Sequence, residues 1–169
     1  TGGGSVTWDS DVDGGSLSLW GGVTGPVAFN HKTVTFYASA TITANTYYAI
    51  IVTDTVTVRG QGVFFDLIIN DGGTFFEFGG AVRIQRNLTI NDGGIYTNDN
   101  AFDLTFGGSG SVNGGTITDN TDPLPKQNLG NVVILNEAGE TKNLGGGGVL
   151  MTELTIDTGT TLVTGANTL

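Results

Sequence analysis

The chain contains no cysteine, one histidine, one methionine and three prolines among its 169 residues, and only six Lys and Arg against sixteen Asp and Glu. Each scarcity excludes something. Without cysteine there is neither a disulfide framework nor a thiolate metal site, so the fold must be held by packing and backbone pairing. A single imidazole, His31, cannot build a multi-histidine metal centre and argues against a Ser-His-Asp triad; it reads as a surface loop residue. A net charge of −10 with so few cations is the wrong sign for phosphate backbones and anionic bilayers, so neither nucleic acid nor a membrane surface is an expected partner. No run approaches the roughly 18 apolar residues of a membrane span. Charged residues make up only 13% of the chain, too few to solvate helix surfaces, and no window of the sequence sustains a helical period.

What is present is glycine, 29 residues of it, together with abundant Thr, Asn and Asp, a balance suited to short strands and tight turns. The apolar positions Ile69, Ile90, Val112, Ile134 and Ile156 are almost evenly spaced, about 22 residues from each to the next. The stretch Leu67-Ile68-Ile69-Asn70-Asp71-Gly72-Gly73 recurs as Leu88-Thr89-Ile90-Asn91-Asp92-Gly93-Gly94. Weaker copies are Val112-Asn113-Gly114-Gly115 and Leu154-Thr155-Ile156-Asp157-Thr158-Gly159. A repeat of this length cannot bury its own apolar face, but stacked on its neighbours at about 4.8 Å per rung it forms a continuous core. The fold class expected is therefore all-β, a β-solenoid (β-helix) with about 22 residues per rung. Seven or so rungs make a rod of roughly 35 Å.

Two regions are distinguished. Residues 1–30 form a Gly-rich N-terminal arm or cap, interrupted by Gly2-Gly3-Gly4, Gly14-Gly15, Gly21-Gly22 and Gly25-Pro26. Residues 31–169 form the solenoid body. Within the body, residues 33–58 alternate, with Val34, Phe36, Ala38, Ala40 and Ile42 on one face and Tyr48, Ile50, Val52, Val56 and Val58 on the matching parity, the pattern of strands buried on one side. The segment 119–126 holds two of the three prolines inside a normal repeat step and is placed as an outward loop. The chain starts at Thr1 without an apolar leader and stops at Leu169 within a repeat, as a mature or excised form of something longer would. An uncapped rung exposes unpaired backbone groups, so this end is expected to be continued or to be covered by another chain.

Asn87-Leu88-Thr89-Ile90-Asn91-Asp92-Gly93-Gly94, Leu129-Gly130-Asn131-Val132-Val133-Ile134 and Leu154-Thr155-Ile156-Asp157-Thr158-Gly159-Thr160-Thr161-Leu162 resemble the degenerate repeats of secreted β-helical surface proteins and adhesin stalks of Bacteroidetes-type bacteria. The resemblance covers roughly residues 63–169 and is one of style, without a diagnostic motif. It implies an extracellular or cell-surface location and a structural or filamentous role.

Few residues suggest chemistry. Asp9-Ser10-Asp11-Val12-Asp13-Gly14 matches the opening of a Ca²⁺ loop, in which alternating carboxylates converge on a hard cation, but Trp20 stands where the closing Glu belongs. A Gly-flanked acidic turn explains the motif better; if metal binds, Asp9, Asp11 and Asp13 hold a structural Ca²⁺, and no other cofactor is expected. Asn70, Asn91, Asn113 and Asp157 occupy equivalent turns and read as a structural ladder of stacked side chains rather than a ligand stripe. A polysaccharide lyase needs a basic residue near carboxylates, and a hydrolase needs clustered carboxylates. Arg83 and Arg86, with Glu77 and Asp103 as conceivable partners, are the nearest approach, and a salt-linked solvent face explains them equally well.

Aromatic residues crowd the first half of the chain. Phe64-Phe65 and Phe75-Phe76 must each place one ring on either side of a strand, leaving outer rings for sugar stacking or, preferably, for docking another subunit. Asn87-Leu88-Thr89 fits the N-glycosylation sequon and Asp54-Thr55-Val56 a short O-glycosylation motif, both common by chance.

The function that follows is structural rather than enzymatic: a self-assembling extracellular filament subunit or surface stalk. Its partner is itself, joined head to tail through Val6, Trp8, Leu17, Leu19 and Trp20 of the arm and Leu162 and Leu169 of the opposite end. The alternative is a carbohydrate-binding or polysaccharide-cleaving β-helix, for which glycans are the partner.

Overall fold

A computed structural model describes residues 6–8, 12–14, 27–29, 33–36, 40–98, 102–107, 115–121, 127–135, 141–146 and 148–165; before residue 49, only the side chains of Thr35, Phe36 and Ile42 are described. These residues contain fifteen strands and no helix. Every strand pairing is parallel. β1 (Val6–Trp8) and β3 (Val27–Phe29) form a pair of their own, and the other thirteen belong to one sheet.

The long strands make the organisation visible. β5 (Ala40–Val52) and β6 (Thr55–Ile69) run side by side, and their register breaks once, between Thr43 and Asn45. The next pairing breaks again between Phe64 and Asp66. These breaks divide the sheet into three successive ladders. Ladder I stacks residues 40–43, residues 56–59, β7 (Thr74–Phe78) and β9 (Ile95–Asn98). Ladder II stacks residues 45–47, 62–64 and the first half of β8 (Val82–Ile90), then β10 (Leu104–Gly107), β12 (Asn131–Leu135) and β14 (Glu153–Ile156). Ladder III begins with β2 (Val12–Gly14) and β4 (Thr33–Phe36) and continues through residues 49–52, 66–69 and 87–90. It ends with β11 (Gly115–Asp119), β13 (Thr141–Gly146) and β15 (Thr161–Val163).

Side chains alternate across each ladder because successive residues of a strand point to opposite faces. Phe36, Ile42, Ile50, Val52, Val56, Val58, Phe64, Leu67, Ile69, Phe75, Ile84, Ile90, Phe106, Ile117 and Ile134 are fully buried and form one core. Of the two aromatic pairs, Phe64 and Phe75 face inward with their rings edge-on at 5.7 Å, while Phe65 and Phe76 are half-buried on the outer side. Burial of so many large apolar side chains, each worth about 1.5–3 kcal/mol, drives the stacking, and the parallel ladders satisfy the main chain that goes with it.

The chain distance between ladder partners is not constant. Ile69 pairs with Ile90 and Ile134 with Ile156, close to the expected repeat. Thr33, however, pairs with Ala49, a much shorter step, while Leu88 pairs with Ile117 and Leu104 with Val132, both much longer ones. The evenly spaced isoleucine series consequently changes ladder. Ile69 and Ile90 are partners in ladder III, whereas Ile134 and Ile156 are partners in ladder II; Val112 lies outside the described residues. A ladder constrains only which residues face each other, and a corner absorbs extra residues without disturbing it.

Candidate functional site

The corner between ladders III and I is built by the repeated Asn-Asp-Gly-Gly turn. Gly73 N–H donates to Asn70 O and Gly94 N–H to Asn91 O, each at 2.9 Å, closing a four-residue turn. Gly72 and Gly93 take the third position with φ of 75° and 78°, the left-handed region open to glycine. The second glycine has a different reason: a Cβ on Gly73 would lie 2.3 Å from Val52 O at the end of β5. Asn91 Nδ2 donates to Asn70 Oδ1 at 2.8 Å, and Asn120 Nδ2 reaches Asn91 Oδ1 at 3.4 Å. The row therefore runs Asn70, Asn91, Asn120.

Asn113 lies outside the described residues. Asp157 follows β14 at the corner between ladders II and III, where its N–H donates to Ile134 O and its carbonyl accepts from Thr160 N–H. It uses the same turn chemistry at a different corner. Asn120 was legible in principle, since Ile117-Thr118-Asp119-Asn120 parallels Leu88-Thr89-Ile90-Asn91, but no Asp-Gly-Gly follows it.

The polar side chains nearest a chemical constellation sit between ladders II and III. Asp66, which is buried, accepts from Arg86 Nε at 2.8 Å and from Asn87 Nδ2 at 2.9 Å, and Arg86 Nη2 closes an ion pair with its second oxygen. Asn87 Oδ1 accepts in turn from Thr116 N–H at 3.0 Å, and the Arg86 guanidinium lies 5.2 Å from the Phe65 ring centroid. Arg86 is thus engaged by a carboxylate and a ring, as a structural fork would be. Glu77 does not join it: the side chain is fully buried in ladder I and accepts from Tyr96 Oη at 2.7 Å. Asp103 is exposed just before β10, which pairs with the strand carrying Arg83.

Two further ionisable groups were invisible in the sequence. Lys142 is completely buried, and its Nζ donates to Gln85 O at 3.2 Å. Buried Asp119 accepts from Thr121 N–H and Oγ1 at 2.9 and 2.6 Å and from Gln127 N–H at 2.8 Å, tying both sides of the segment placed as an outward loop; its residues 122–126 lie outside the described residues. Their burial is set by three-dimensional packing, and no spacing rule announces it.

The outer side of ladder I carries the aromatic surface. Phe76 and Phe78 have centroids 5.6 Å apart, the Arg59 guanidinium stands 4.8 Å from the Phe78 ring centroid, and Ile95 is exposed nearby in β9. Among the described residues, no three His, Cys, Asp or Glu side chains converge as a metal site. Asp9 and Asp11 lie outside the described residues and Asp13 is described only by its main chain in β2, so the candidate Ca²⁺ loop is not represented.

The remaining predicted residues concern the two ends. Val6 and Trp8 belong to β1, described by its main chain, and Leu17, Leu19, Trp20 and Leu169 lie outside the described residues. Leu162 is half-buried in β15. Leu154 is half-buried, while Ile156 and Val163 are each 42% exposed, although Ile156 continues the row of buried Ile134. Among the described residues no strand pairs with the far side of β14 or β15. Comparison with protein-family models, curated proteins and solved structures finds no match for this chain.

Proposed function

We propose that the protein is a structural element, a β-solenoid that assembles end to end into an extracellular filament or surface stalk and carries no enzymatic activity. In this reading the three ladders are the sides of one coil, each circuit contributing a strand to each side where its length allows. The observation that carries the proposal is the stack of parallel ladders over one continuous apolar core. Such ladders are extended by adding further parallel strands in the same register, which suits an element of an end-to-end assembly. Polar groups fit the same role, because Arg86, Asp119 and the asparagine row all bond to neighbouring segments of the protein.

Electron microscopy and sedimentation over a concentration series test this. The wild-type chain forms uniform fibres whose length grows with concentration. Ile156→Lys, which places a charge at an exposed position in line with buried Ile134, is expected to remain folded by circular dichroism and to stay dispersed. Dispersed wild-type particles at every concentration would refute the reading.

One observation favours a second reading, carbohydrate binding, namely the Phe76, Phe78 and Arg59 surface, since the exposed Phe78 ring beside half-buried Phe76 and a cation suits the apolar face of a sugar. Retention on a polysaccharide panel that disappears in Phe78→Ala would support it.

A further inference from the structure

The outward positions of ladder I form one continuous face. Alternation turns Val56, Val58, Phe75, Glu77 and Tyr96 inward and leaves Thr57, Arg59, Phe76, Phe78, Ile95 and Thr97 on the outer side. Pairing sets these side by side: Thr57 and Thr97 flank Phe76 on the two neighbouring strands, and Arg59 neighbours Phe78. Phe78 and Ile95 are both exposed, unlike the rings of the core.

The charge on this face runs against that of the chain. The protein carries a net charge of −10, yet in residues 55–59, 74–78 and 95–98 the one acid is Glu77, which is buried on the inner side and accepts from Tyr96 Oη. Arg59 is therefore the only charge that these three segments present outward. Arg86 is held by Asp66, whereas Arg59 makes no hydrogen bond or ion pair with any described residue and rests its guanidinium against the Phe78 ring. Contact with a ring uses the π face of a guanidinium and leaves the N–H donors along its edge for a planar anion. The ring also holds the side chain in place, so less freedom is lost when those donors are used.

A carboxylate matches that fork, an exposed ring suits the apolar face of a sugar, and the flanking threonine hydroxyls suit sugar hydroxyl groups. A sheet face covers only one side of a sugar, so affinity must be gathered from several linked sugars. The corner beside the site is clear for such a chain: Gly60 follows Arg59, Gly79 and Gly80 follow Phe78, and nothing lies within 4 Å of a Cβ placed on Gly79. Resting on the carbohydrate reading above, we propose that the outer face of ladder I binds an acidic polysaccharide, Arg59 pairing with a uronate carboxylate while Phe78, beside Phe76, stacks on a sugar ring.

Columns of immobilised polygalacturonate, alginate and hyaluronate, each before and after chemical reduction of its carboxyl groups to neutral alcohols, test the class of ligand with the sugar rings otherwise unchanged. The runs are made at physiological ionic strength, where screening over about 8 Å lets the local face rather than the net charge decide. The wild-type chain is expected to be retained by at least one acidic polymer at least about fivefold more strongly than by its reduced form, the measure of an exposed bidentate pair. Arg59→Gln erases that difference, Arg59→Lys restores only part of it, and Phe78→Ala weakens retention on both forms. All three variants lie at exposed positions and keep the wild-type circular dichroism spectrum. Equal retention on acidic and reduced polymers, or retention on the acidic form that Arg59→Gln leaves unchanged, would overturn the acidic ligand; loss in Phe78→Ala would then leave the carbohydrate reading standing. A wild-type chain that no acidic or neutral polymer retains would overturn both.

Discussion

Replacing Gly73 by alanine tests whether the corner turn is limited by conformation or by contact with the end of β5. Gly73 does not need a positive φ, so conformational strain alone predicts little effect. Its added Cβ, however, would lie 2.3 Å from Val52 O and 2.9 Å from Val52 C, both main-chain atoms that have no rotamer to change. Relief requires the corner to open by roughly 1 Å, the distance to ordinary van der Waals contact. That movement strains the bonds from Gly73 N–H to Asn70 O and from Ile95 N–H to Gly73 O, both 2.9 Å. Overpacking at about 1–3 kcal/mol together with two weakened backbone bonds at about 1 kcal/mol each gives a loss of about 3–5 kcal/mol.

Gly79→Ala is the matched control. Gly79 has φ of 75° and nothing within 4 Å of the added Cβ, so only the left-handed penalty of about 1–2 kcal/mol applies. For a chain of this size each kcal/mol moves Tm by about 2–4 °C. Thermal denaturation followed by circular dichroism at low protein concentration should therefore find Gly73→Ala roughly 10 °C below wild type and Gly79→Ala only about 4 °C below. A Gly73→Ala protein no less stable than Gly79→Ala would refute the close approach of Gly73 and Val52 at this corner.

The Asp66 and Arg86 pair should respond asymmetrically to truncation. Arg86→Ala strips a buried carboxylate of its guanidinium, leaving it the Asn87 amide, and should cost about 3 kcal/mol. Asp66→Ala leaves a guanidinium that is 32% exposed and can turn to water, for a smaller loss of about 1–2 kcal/mol; equal losses in urea unfolding would show that burial is not what separates them. Asn91→Ala removes both links of the asparagine row and should lower stability by about 1 kcal/mol. Asn120→Ala should cost less, because its single bond in the row is exposed and long at 3.4 Å, and urea midpoints that reverse this order would contradict the row as drawn.

The strands were legible where alternation and turn chemistry agreed. Phe36, Ile42, Ile50, Val52, Val56 and Val58 were assigned to a buried face by parity, and all of them are buried. Repetition of Asn-Asp-Gly-Gly located two equivalent corners, since glycine at the third and fourth positions answers a local requirement: a positive φ at one and close approach of a neighbouring strand's main chain at the other. The sequence by itself thus determined an all-β chain of short strands and tight turns, its acidic character and the pairing of Ile69 with Ile90. Only tertiary structure decided which ladder each later strand joins, because excursions at the corners lengthen a step such as Leu88 to Ile117 without breaking a hydrogen-bonded register. It likewise decided that Asp66, Glu77, Asp119 and Lys142 are inside. A side chain's burial depends on what the neighbouring strands place over it, and that is a property of stacking which no single stretch of sequence contains.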